Sequence, residues 1–289
     1  MKHRHPGLLL LIIFGIALGG VIVALLQGGV LLDPKGPVAF SEMTLMRNAL
    51  WLMLIVVVPV FALLFYFSWW YRADNKKARY LPEWEHAKMD ELIWWAIPFE
   101  IVLVLAALIW SSSHSLDPHQ PLNAPGVAIT IQAVALPWKW LFIYPEEGIA
   151  SVNYLQVPVG RPLAFEVTAD APMNSLWIPA LGGQIYAMTG MTNRLHLLAN
   201  EEGEYGGMSA NYSGEGFAHM RFAVRATSEA EFDAWVATTP GQMLDWDAYA
   251  ALAAPGTTTP HHFGAVEGGL YDDILEQFTG VPLQPAVHH

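Results

Sequence analysis

No cysteine occurs among the 289 residues. That absence excludes disulfides, thiolate zinc or iron–sulfur sites, a cysteine nucleophile and a thioether-linked lipid anchor. It leaves the redox compartment open, since a chain without thiols is compatible with any. Charge is scarce as well: 14% of residues are Asp, Glu, Lys or Arg, against about a quarter in an average soluble domain. The net charge is −12 at pH 7, so the chain lacks the basic face that non-specific nucleic-acid binding needs. A Ser–His–Asp arrangement, a phosphate-cradling glycine loop, HExxH, a dinucleotide fingerprint and internal repeats are also missing. What fills the chain is apolar: 54% of it is hydrophobic, and the mean hydropathy is +0.33.

That apolar content is concentrated. Gly7 to Gln27 is uncharged and long enough as a helix to cross a hydrocarbon layer of ~30 Å. Ala49 to Tyr71 is a second such run, flanked by Arg47 and Arg72 and ending in the interfacial cluster Trp69–Trp70–Tyr71. Leu92 to Trp110 is a third, interrupted by Pro98 and Glu100. Lys2 and Arg4 precede the first run, and Arg72, Lys76, Lys77, Arg79 and Lys88 lie between the second and third. Placing both basic segments in the cytoplasm makes three spans alternate and puts everything after Ser111 outside. Two readings stand for the first run, a retained span or a cleaved signal peptide, and both give this topology. Spacings around Gly15, Gly19 and Gly20 permit close helix packing there.

From Ser111 onward there are 18 acidic residues and 5 Lys or Arg, so the outer part accounts for the acidity. Pro118, Pro121 and Pro125 punctuate a linker over 112–126. Short runs bounded by turn residues follow: 128–134, 138–144, 153–158, 162–169, 194–198 and 219–226. Strands at this spacing predict an all-β sandwich or barrel over 127–227. Residues 228–289 change pattern. Ser228 with Glu229 and Glu231 starts an amphipathic helix, and 244–252 and 270–278 read as helices too. The Pro- and Thr-rich stretch between them reads as loose.

The order of these parts, with WKWLFIYPEEGIA, PMNSLWIPALGGQIYAMTGM and GEYGGMSANYSGEGFAHMRF in the outer domain, resembles subunit II of the haem–copper oxidases, and within them the cytochrome bo-type ubiquinol oxidases. The resemblance runs from LLDPKG at Leu31 to about Ala226. It implies two or three transmembrane helices, a cupredoxin-like sandwich outside the membrane and short C-terminal helices. Cytochrome c oxidases of this superfamily hold a dinuclear copper-A centre in that domain, built on two thiolates, two His, a Met and a carbonyl. On this sequence the first His position falls on Asn174, and the loop positions become Ser209, Asn211, Ser213, Phe217 and Met220. Met220 alone keeps a ligand type. Hard serine hydroxyls do not replace bridging thiolates, so the sequence excludes copper-A.

Other residues have plainer readings. His196, His219, Met188 and Met191 read as structural, and on a strand His219 and Met220 would face opposite ways. The pairs His261–His262 and His288–His289 are poor sites for stray metal on flexible segments. Glu91 begins the third run in ELIWWAIP, which resembles the family element whose Glu collects protons at the cytoplasmic mouth of a path into subunit I. Glu100 lies ~13 Å deeper and on the opposite helical face, where an ionised carboxylate is costly. It reads as an acid hydrogen-bonded to a neighbouring helix, with a supplementary proton site as the sharper alternative. Trp138 and Trp140 fall in the family's aromatic segment and read as contacts to subunit I.

The resemblance thus implies a subunit of a proton-pumping terminal oxidase that oxidises ubiquinol and reduces oxygen to water. The haems and a copper would reside in subunit I, with no cofactor on this chain. Subunits I, III and IV and membrane lipid are the expected partners. The setting is the bacterial inner membrane with the C-terminal domain periplasmic. A cytochrome c oxidase subunit II and a membrane-tethered cupredoxin scaffold outside any oxidase are the alternatives.

Overall fold

The computed structural model describes residues 29–79 and 87–280, with Gly15, Ile16, Gly19, Gly20 and Val23 ahead of them. Whether the first apolar run is a span or a signal peptide lies outside the described residues, as does His288–His289. Two compact units emerge: one holds Met43–Ser115, the other Asp33–Glu42 with everything from Leu116 onward.

The first unit is built on two long helices, α1 (Pro37–Trp70) and α2 (Lys88–Ser115). Pro37 opens α1 in the first turn, where the N–H has no intrahelical partner to lose. At 1.5 Å per residue α1 rises ~51 Å and α2 ~42 Å, more than a bilayer core requires. Their apolar windows have mean hydropathies of 2.7 and 2.4, and the rest of the described chain buries none of either. A helix apolar on every side, with no polar stripe, belongs in lipid or against other apolar helices. At the end of α1, Asn75 Nδ2 donates to the Trp70 carbonyl at 2.6 Å and Arg72 lies 5.2 Å over the Trp69 ring. Both side chains satisfy the electron-rich end of the helix where the chain turns polar.

The second unit is a two-sheet sandwich. Its strands in chain order are β1 (Ile129–Leu136), β2 (Lys139–Tyr144), β3 (Ile149–Val152), β4 (Tyr154–Pro158), β5 (Leu163–Ala169), β6 (Asn174–Trp177), β7 (Gln184–Ala187), β8 (Asn193–Leu197), β9 (Gly203–Ser209) and β10 (Arg221–Thr227). After β10 come α3 (Glu229–Thr238), β11 (Met243–Leu244), α4 (Trp246–Leu252), β12 (His261–Phe263), β13 (Ala265–Val266) and α5 (Leu270–Thr279). One sheet runs β12-β3-β2-β1-β5-β8 and the other β4-β10-β9-β6-β7. The period of two explains the layers. Ile129, Ile131, Ala133 and Ala135 of β1 point into the sandwich with Trp140 and Phe142 of β2. Val134 and Leu136 of β1, with Leu141 and Ile143 of β2, point the other way and are covered by Tyr249 of α4 and Leu270, Ile274 and Leu275 of α5. β2 is therefore buried on both faces.

The segment before α1 is part of this sandwich unit. Lys35 N donates to the Ala180 carbonyl at 2.7 Å, Asn200 N to the Lys35 carbonyl at 2.8 Å, and Ala39 N to the Leu181 carbonyl at 3.1 Å. Lys35 Nζ sits 2.8 Å from Glu201 and 3.0 Å from Asp33. A side chain at Gly36 would collide with the Leu198 carbonyl, so only glycine lets the strap lie this close. Because residues on both flanks of 43–115 belong to one unit, the intervening chain must cross a membrane an even number of times.

Several expectations change. The Thr-rich stretch is not loose: Gly256 N donates to the Pro137 carbonyl and Asn153 Nδ2 to the Thr258 carbonyl at 3.0 Å, and β12 pairs with β3. His261 and His262 therefore lie on a strand, facing opposite sides, and not on a flexible pair. His219 ends a 3-10 turn, Phe217–His219, where the loop closes before β10 begins at Arg221. The short strands β3 and β6 were beyond the pattern reading because their burial does not alternate, β9 because its residues are mostly small, and β7 because four residues make too short a run.

Candidate functional site

Three strand ends converge where the copper-A ligands would sit. β6 and β9 pair with Leu176 opposite Ser209, and just beyond the strand Ala210 N donates to the Ser175 carbonyl at 3.0 Å, which keeps the start of the loop beside Asn174. The loop after β9 returns through Phe217–His219, and Ser209 N donates to the Met220 carbonyl at 2.9 Å. Ser209 is buried and central: its Oγ accepts from Trp140 Nε1 at 3.1 Å and donates to Met220 Sδ at 3.5 Å. Ser213 Oγ donates to the same sulfur at 3.6 Å. Asn174 is fully buried, with Nδ2 donating to the Pro172 carbonyl at 3.2 Å, and Asn211 Nδ2 donates to the Met173 carbonyl at 2.9 Å. Phe217 stacks edge-on with Tyr212, 5.6 Å between rings.

This donor set does not fit a copper pair. Two hydroxyls replace the thiolates, an amide and a phenyl ring replace the imidazoles, and the thioether that remains accepts two O–H groups. The position works as a hydrogen-bonded plug that packs the end of the sandwich. No step through copper follows from it.

Trp138 and Trp140 part company. Trp140 is wholly enclosed, between Phe142 and Phe222, and has no surface to offer another protein. The contact reading therefore narrows to Trp138, which is half-buried. Pro137 and Trp138 form the two-residue turn between β1 and β2, with Trp138 at φ 69°. That conformation suits a type II turn but costs a bulky residue roughly 1–2 kcal/mol. The indole lies against Gly216, where any side chain would collide with it. Packing against Gly216 thus maintains the strained turn and sets a large aromatic over the loop after β9.

Sequence reasoning missed Lys139 and Asn153, and it read His262 only as half of a poor metal-binding pair. Lys139 is buried, and its Nζ donates to the Leu252 and Ala254 carbonyls, both at 2.8 Å. Burial pushes its ammonium below the usual lysine range. Asn153, at φ 53°, accepts from Trp140 N through Oδ1 at 2.9 Å while its Nδ2 ties down Thr258. His262 is edge-on to Tyr154 and Trp235 at 5.2 and 5.9 Å, and its buried Nδ1 has no hydrogen-bond partner among the described residues. A lone Lys between two Trp, in a segment read as aromatic, was the available signal for the first. The others depend on chain crossings that spacing does not reveal.

In the helical unit, tryptophans mark two levels on each helix. Trp51 and Trp69 of α1 are exposed and ~27 Å apart along the axis; Trp94 and Trp110 of α2 are exposed and ~24 Å apart. Both separations suit aromatic belts at the two edges of a hydrocarbon core. On this scale Glu91, in the first turn of α2, falls ~4–5 Å outside the Trp94 level, and Glu100 ~9 Å inside it. The structure does not bring the two carboxylates together.

A sandwich with a copper-A-type loop that keeps one of the ligand types, on a chain with two membrane-length helices, defines a class: subunit II of a haem–copper oxidase without a copper-A ligand set. Comparison with known proteins agrees. Residues 240–280 match the family model described as the COX Aromatic Rich Motif. The chain is 49% identical over 263 residues to cytochrome bo(3) ubiquinol oxidase subunit 2 of Pseudomonas putida, covering 90% of this chain and 82% of that protein. Against ubiquinol oxidase subunit 2 of Acetobacter aceti it is 46% identical over 268 residues, covering 90% and 87%. Among solved structures, the periplasmic domain of cytochrome oxidase subunit II from Bradyrhizobium japonicum aligns with 40% of this chain and 95% of its own, at 28% identity and a TM-score of 0.38. The chain belongs to the ubiquinol oxidase subunit 2 family.

Proposed function

We propose that the chain serves a proton-pumping quinol oxidase as a structural and proton-collecting subunit beside a catalytic subunit I, in a bacterial inner membrane with its sandwich in the periplasm. Subunits III and IV complete the assembly in this reading, and the haems, the oxygen-reducing copper and ubiquinol are held elsewhere in it. The observation that carries the reading is the Trp140–Ser209–Met220–Ser213 network, which fills the copper-A position with hydrogen bonds. An electron carrier has no relay there, so the donor must reach subunit I by another route, and a membrane quinol does so from the bilayer.

Glu91 collects protons in this reading. It stands just outside the Trp94 level of α2, on the side of the helix hairpin that carries the basic residues Arg72, Lys76 and Lys77. A carboxylate at such an edge is in contact with water and close to the apolar core, as a proton donor to an inward path must be. Trp138, poised over the former copper loop, faces subunit I. The test is Glu91→Gln in the purified oxidase. Quinol-driven turnover should fall severalfold while the KM for quinol and the haem content stay unchanged. Full turnover with normal proton uptake would remove Glu91 from the path.

A further inference from the structure

Asn174 is 0% exposed, and one of its polar atoms is unpartnered. Its Nδ2 donates to the Pro172 carbonyl at 3.2 Å, whereas its Oδ1, shielded from solvent, accepts from no donor among the described residues. Turning the amide around does not cure this, because the oxygen would then face the Pro172 carbonyl. A buried amide oxygen without a donor forfeits the hydrogen bond it makes in water, and native interiors seldom leave one so.

Strand register shows where this oxygen lies. Side chains alternate along β6, so Asn174 shares the face of Leu176, a core residue between the two sheets. Across β7 the partner of Asn174 is Ala187, also in the core and contributing only a methyl group. Across β9 the partner of Leu176 is Ser209. Asn174 and Ser209 therefore look into the same end of the sandwich, where the Ser209 and Ser213 hydroxyls donate to Met220 Sδ. The backbone there is polar too: the Pro172 carbonyl accepts from Asn174 and the Met173 carbonyl from Asn211.

We infer that Asn174 Oδ1 binds a single ordered water molecule, enclosed at the end of the sandwich where a copper-A domain carries its first imidazole. The oxygen asks for a donor, which excludes an anion. The groups named around it are uncharged (amides, hydroxyls, a thioether and carbonyls), so a metal ion or an ammonium would be buried without a counter-charge. Water is neutral, donates, and finds further partners among such groups. An amide is also shorter than an imidazole, and a water held by it makes up the reach. Asn174 is thus the water-binding residue of the plug, and solvent is part of what fills the copper position.

The test is a density map of the intact oxidase at a resolution that shows ordered water, recorded once in sodium salt and once in rubidium salt. One isolated peak is expected about 2.6–3.2 Å from Asn174 Oδ1, the range of a hydrogen bond, with equal height in both salts. Asn174→Leu removes the acceptor and should lose the peak while the Ser209–Met220 contact persists. A wild-type map without the peak would overturn the inference, whether or not the variant assembles. So would a peak that strengthens in rubidium, which marks a cation, or one that survives in Asn174→Leu. An empty position would leave the copper-free plug standing; a pair of copper ions in it would overturn both.

Discussion

A buried ammonium held by two neutral carbonyls is an uncommon arrangement, and Lys139 adopts it to join the C-terminal segment to the sheet. Replacing it with methionine keeps the alkyl stem but strands the Leu252 and Ala254 carbonyls. Lys139→Met should destabilise the outer domain by about 1–3 kcal/mol, measured by chemical denaturation of the detergent-solubilised chain. Adjacent glycines give a second comparison at the same scale. A Cβ at Gly207 would run into the Phe222 ring, whereas one at Gly206 meets nothing within 4 Å. Gly207→Ala should therefore cost about 1–3 kcal/mol by overpacking, while Gly206→Ala stays near neutral in the same assay. A loss of equal size at both positions would show that backbone freedom, not ring contact, sets the requirement. The copper positions were readable residue by residue because ligand chemistry depends on side-chain type alone. The fate of each replacement was not: that Ser209 would bridge an indole and a thioether depends on β9 passing β2.

Among the elements, β12 carries a half-buried imidazole, His262, against the sheet. Burial and the neighbouring His261 hold the His262 imidazole below its ordinary value of 6.5. Tyr154, Trp235 and His261 surround it, and Arg225 lies near the Tyr154 hydroxyl. The unfolded chain thus binds a proton more readily than the folded one once the pH drops below 6.5. Stability from a neutral His262 is complete above that value and is lost as pH falls toward and through the lower, folded one. Hydrogen exchange in residues 256–266 should accelerate on acidification through this window, and His262→Gln should flatten the dependence. An unchanged acid response in the variant would place the effect elsewhere. β12 also shows why part of the fold was hidden. β1, β5 and β10 announce themselves by alternation, and α3 by Ser228, whose side chain accepts from Glu231 N as the capping pattern requires. β12 is three residues long and becomes a strand because β3 has a free edge beside it. Its pairing is a tertiary event that local sequence does not encode.

For the molecule as a whole, the two membrane-length helices were legible as apolar runs, because transfer energies sum along the sequence. The membership of Asp33–Glu42 in the outer unit was not, since it rests on contacts with residues near 180 and 200. At this scale the filled copper position makes a simple statement. The purified chain, given excess copper, should develop no near-infrared copper-A band, and the copper content of the oxidase should not change when Met220 is replaced by leucine. A band in that region would contradict the hydrogen-bonded plug.

The strap around Lys35 has a consequence for the order of assembly. The ribosome releases Asp33–Glu42 well before it has made Ala180, Leu181, Asn200 and Glu201, and the whole helix hairpin is synthesised in the interval. Those ten residues therefore wait, unclasped, until the helix hairpin and most of the sandwich have been made. Only then does the sandwich find its missing piece. The clasp closes only once residues near 180 and 200 have been made, which makes it one of the later contacts of the chain to form.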